Sequence, residues 1–88
     1  MHLTIKRLRR SSEIFASATL ADQAKFEKII AALKAKKFSV TFARFELSGT
    51  VCLTVKGLRS DKAVQFAADI ILRAGRQEGF VFHNSEYR

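Results

Sequence analysis

Residues 38–57 constrain the fold most. FSVTFARFEL and TVCLTVKGL are rich in β-branched and aromatic residues and are parted at Ser48-Gly49, the signature of a β-hairpin. On each side of it lies a segment with helical periodicity. Phe26, Ile29, Ile30 and Leu33 fall at i, i+3, i+4 and i+7, and Ala63, Phe66, Ala67, Ile70, Ile71 and Ala74 follow the same period. The first helix is expected over 20–37. Thr19 is its N-cap, Asp22 lies in its first turn, and Lys34, Lys36 and Lys37 crowd its C-terminal end, where cations complement the helix dipole. The second is expected over 60–76, with Ser60 as N-cap and Gly75 or Gly79 ending it.

The register of the hairpin follows from which residues share a face. A two-residue loop puts Val51, Leu53 and Val55 on the face of Phe42, Arg44 and Glu46, which buries charge. A three-residue loop, Ser48-Gly49-Thr50, aligns Leu47 with Val51, Phe45 with Leu53 and Ala43 with Val55. That face is wholly apolar, so this register is the expected one, with Gly49 at positive φ. Phe42, Arg44, Glu46, Cys52, Thr54 and Lys56 then share the opposite face.

The chain ends supply further strands. FVFHN, residues 80–84, reads as the last one, followed by a frayed tail. Before the first helix, residues 2–9 and 13–18 both alternate, parted by Arg9, Arg10, Ser11 and Ser12. Two strands of a hairpin are the favoured reading; the alternative is one strand, 2–9, and a connection or early helix over 12–19. The expectation is an α+β domain spanning 1–88, with two helices on one face of an antiparallel sheet and the other face open.

The order strand, helix, strand, strand, helix, strand resembles the ferredoxin-like superfold, a split βαβ sandwich that includes RNA-recognition motifs. An extra N-terminal strand would be added here. IFASATL at residues 14–20 resembles the short first-strand motif of the RNA-recognition family, whereas TVCLTVKGL lacks the spaced aromatics of its third-strand motif. The resemblance implies the fold. Other members of that superfold use residues that are missing here. A metal chaperone needs paired Cys, and Cys52 is alone. An acylphosphatase-like site needs a Gly-rich loop after the first strand, and ATLADQ has no Gly. A nuclease of this fold needs an Asp at the end of the first strand, and neither 2–9 nor 13–18 holds one. No enzyme, metal site or cofactor is expected.

Charge points to partners. The chain carries a formal net charge of +8 on 88 residues. Lys6, Arg7, Arg9 and Arg10 stand before the first acid, and Lys25, Lys28, Lys34, Lys36 and Lys37 outnumber Glu13, Asp22 and Glu27 in the stretch that follows. Such an excess is either a solubility device or a polyanion footprint. One Cys and two His favour a reduced, cytoplasmic protein. No apolar run has the length of a membrane span, and MHLTIKRLRRSS lacks the apolar core of a secretory signal.

The expected function is a non-enzymatic nucleic-acid-binding module for RNA or DNA, working as a homodimer. Arg7, Arg9, Arg10, Lys25 and Lys28 would meet phosphates, and Phe42, Arg44 and Lys56 would line the open sheet, with Phe42 stacking on a base. The alternative is a small protein-interaction domain, an adaptor or inhibitor of the kind carried by phages or mobile elements, docking on an acidic partner surface.

Overall fold

A computed structural model describes residues 1–7 and 12–82. The elements are β1 (His2–Arg7), β2 (Ile14–Thr19), a 3-10 turn (Leu20–Asp22), α1 (Gln23–Ala35), β3 (Ser39–Phe45), β4 (Thr50–Lys56), α2 (Asp61–Gln77) and β5 (Val81–Phe82). They form one five-stranded sheet in the order β3-β4-β2-β1-β5. All neighbours are antiparallel except β1 and β5. Without β1, the remaining strands and helices have the βαββαβ order of the ferredoxin-like fold. The N-terminal strand is inserted between β2 and β5 rather than added at an edge. Both N-terminal segments are therefore strands of one hairpin; residues 8 and 9 of the expected first strand, and 83–84 of the last, lie outside the described residues.

Both helices pack on one face of the sheet. α1 buries Phe26, Ile29, Ile30 and Leu33, the expected stripe. α2 buries Val64, Ala67, Ala68, Ile70, Ile71 and Gly75. Its buried stripe is rotated from the expected one, so that Phe66 stays 47% exposed and meets Phe38 with 5.7 Å between ring centroids. Beneath the helices lie Leu3, Ile5, Ile14, Ala16, Val51, Leu53 and Val55, all fully buried. Burying these side chains is the main force holding sheet and helices together.

The helix ends show how local chemistry sets boundaries. Ser60 accepts a hydrogen bond from the Ala63 amide at 3.1 Å, as its N-cap position requires. Thr19 caps nothing with its side chain; the 3-10 turn intervenes instead. α2 closes with paired bonds from the Gly79 amide to the Arg76 carbonyl and from the Phe80 amide to the Gly75 carbonyl, with Gly79 at φ 90°. α1 closes the same way, Lys37 amide to Lys34 and Phe38 amide to Leu33, but its left-handed residue is Lys37 at φ 69°. Gly75 does not end α2. It is buried inside the helix, where an added Cβ would stand 2.8 Å from the Phe82 ring of β5.

The β3–β4 register differs from expectation. Phe42 pairs with Leu53, Arg44 with Val51 and Phe45 with Thr50, around a four-residue turn, Glu46 to Gly49. Phe42 and Arg44 therefore share the helix-side face with Val51, Leu53 and Val55, while Ala43 and Phe45 turn to the other face. The reason is position. β3 is the outermost strand, so its inward residues are only partly covered, and a charge there is not buried. Arg44 reaches the start of α1, donating to Gln23 at 3.0 Å and pairing with Glu46 at 2.8 Å. Requiring an apolar face overstates burial at an edge.

Candidate nucleic-acid interface

The second face of the sheet has no described element packed on it. Strand alternation sends His2, Thr4 and Lys6 of β1 to it, with Phe15, Ser17 and Thr19 of β2, Thr50, Cys52, Thr54 and Lys56 of β4, and Ser39, Thr41, Ala43 and Phe45 of β3. None of these strand residues is acidic. Lys6, Phe15, Thr54 and Thr41 form one row across four strands, and Thr4, Ser17, Cys52 and Ala43 form the next. Toward one end, His2, Thr4, Ser17, Thr19, Ser48 and Thr50 line a shallow hydroxyl-rich depression of about 340 Å³.

Phe15 is the central aromatic of this surface. It lies on β2, the middle strand of five, half-buried, with Lys6 and Thr54 as cross-strand neighbours. Phe45 marks the β3 border at 53% exposed. Cys52, between them in register, is 7% exposed, and burial pushes its thiol up from the ordinary value. A thiol shifted this way is a poorer nucleophile.

The expected site residues separate into three groups. Among the described residues of the set, Lys56 alone lies on the open face. Phe42 and Arg44 are on the helix side: the Phe42 ring meets Phe26 at 6.4 Å, and Arg44 is engaged by Gln23 and Glu46. Arg7, Lys25 and Lys28, the described basic residues of the expected set outside β3 and β4, lie on the helix side of the sheet or on α1. Arg7 leaves β1 on the helix side and pairs with Asp61 at 3.2 Å, and Lys28 on α1 pairs with Glu78 at 3.5 Å. The Arg7–Asp61 pair is solvent-exposed and worth little to stability, while Glu78 of the second pair is partly buried. Lys25 is exposed on α1. Arg9 and Arg10 lie outside the described residues.

Sequence reasoning did not single out Phe15 and Lys6, which the strand register places side by side on the open face. The signal for Phe15 was present, since it is the aromatic in IFASATL. No protein-family model matches this chain, and neither does any curated protein or solved structure.

Proposed function

We propose that this chain is a non-enzymatic module that binds single-stranded nucleic acid on its open sheet face. One observation carries the reading: a five-stranded face without a strand-borne carboxylate, centred on Phe15 with Lys6 beside it, in a protein of net charge +8. Every base offers a π-face to an aromatic platform, and hydroxyls and cations around it suit sugar and phosphate. A sheet presenting a central aromatic is how several small folds hold unpaired bases. Lys56, Arg9 and Arg10 add charge around the platform or near it in sequence. Lys25 and Lys28 belong to the opposite layer and are assigned no part in it.

The test is a titration of the full chain against single-stranded RNA, single-stranded DNA and duplex DNA at two salt concentrations. Single strands bind more tightly than duplex, and affinity falls steeply with salt because bound cations release condensed counterions. Lys6→Ala with Lys56→Ala weakens all sequences alike and flattens the salt slope. Absence of binding to every nucleic acid at low salt overturns the proposal.

A further inference from the structure

The unpaired edge of β3 is the second unusual surface. β3 hydrogen-bonds to β4 alone, and its other side ends the sheet. Natural edges are protected by Lys, Pro, bulges or shortness. The opposite edge, β5, spans only Val81–Phe82. β3 spans seven residues, SVTFARF, without Lys, Pro or Gly. Of the five exposed large hydrophobics among the described residues, three lie on it or just after it: Phe42, Phe45 and Leu47.

Charge identifies the occupant. Residues 38–47 hold Arg44 and Glu46 and no other charge, so this stretch is neutral in a chain of +8. Two copies repelling each other elsewhere can approach here. The edge is also polarised along its length. α1 runs antiparallel to β3, and a groove between α1 and Phe42 is lined by Glu27, Ile30, Ala31 and Lys34. Lys34, Lys36 and Lys37 stand at the start of β3, whereas Glu27 and Glu46 stand toward its end. An antiparallel partner of identical sequence sets Glu27 of each copy toward Lys34 of the other. A parallel partner sets like against like.

We infer that the chain forms a two-fold homodimer by antiparallel pairing of β3 with β3 of a second copy, with Glu27 of each α1 facing Lys34 of the other. The two-fold axis is normal to the sheet, so both pairs of helices lie on one side and both open faces on the other. The product is a continuous ten-stranded sheet. This inference does not depend on nucleic-acid binding, and its test contains none.

Sedimentation equilibrium of the full chain measures it. The native protein shows a reversible monomer–dimer equilibrium. Glu27→Lys makes both symmetric pairs repulsive and weakens dimerisation about tenfold. Adding Lys34→Glu to it restores the dimer, because the reversed polarity is again self-complementary. Glu27 and Lys34 are exposed helix residues, so far-ultraviolet circular dichroism should show all three proteins equally folded. A protein monomeric at every accessible concentration overturns the inference. So does a dimer indifferent to Glu27→Lys, or pairing of β3 with unrelated strand peptides in the absence of self-association.

Discussion

β3 and β4 are seven-residue neighbours in one hairpin, yet they lead opposite lives. β4 lies between two strands and under the helices, and Val51, Cys52, Leu53 and Val55 are all buried. β3 has one neighbour, and none of its residues is fully buried. The same alternating pattern therefore carries different information in the two strands. In β4 the apolar set names the core face directly. In β3 both alternating sets contain a Phe, and the set holding Arg44 is the one that faces the helices. An interior strand is read by its hydrophobicity; an edge strand is read only through its partner's register.

The largest effect separates the two strands. Leu53→Ala removes a fully buried side chain between sheet and helices and should cost about 2–5 kcal/mol in denaturant unfolding. Phe42→Ala, directly across the ladder at 38% exposed, removes a larger side chain and should still cost less, about 1–2 kcal/mol. Equal losses would put β3 in the core and break the comparison. A smaller effect sits where the chain enters β3. Lys37 holds a left-handed conformation with a side chain that penalises it. Lys37→Gly should raise stability by about 0.5–1 kcal/mol. A loss in thermal or denaturant unfolding would mean the lysine makes a compensating interaction. The smallest effect sharpens the register. Phe45→Thr on the open face should change stability by no more than about 0.5 kcal/mol. A loss near that of Leu53→Ala would restore the three-residue turn, in which Phe45 faces the helices.

Much of the architecture was legible because it rests on local, periodic signals. The α1 stripe, the Ser60 cap, the hairpin punctuated by Gly49 and the α+β class all follow from spacings within one element. The features that were not legible depend on distant residues. The Arg7–Asp61 and Lys28–Glu78 pairs join residues far apart in sequence, so the charge excess could not be mapped onto one surface. The rotation of α2 that leaves Phe66 outside depends on how α2 meets α1 and the sheet. Gly75 looked like a helix stop, but it is kept small by Phe82, which arrives from the last strand. The site suffered most from the hairpin register. A change of face moved Phe42 and Arg44 to the helix side and left Phe15 as the aromatic at the centre of the open face.

The two faces of the sheet thus offer competing aromatics, and one measurement discriminates between them. Binding of a single-stranded oligonucleotide is titrated at low salt for the native chain, Phe15→Ala and Phe42→Ala, with thermal melting to confirm that each variant is folded. Stacking on the open face predicts that Phe15→Ala loses about 1–3 kcal/mol of affinity while Phe42→Ala binds as the native chain does. Loss of binding in folded Phe42→Ala, with Phe15→Ala unaffected, would contradict the assignment of the open face.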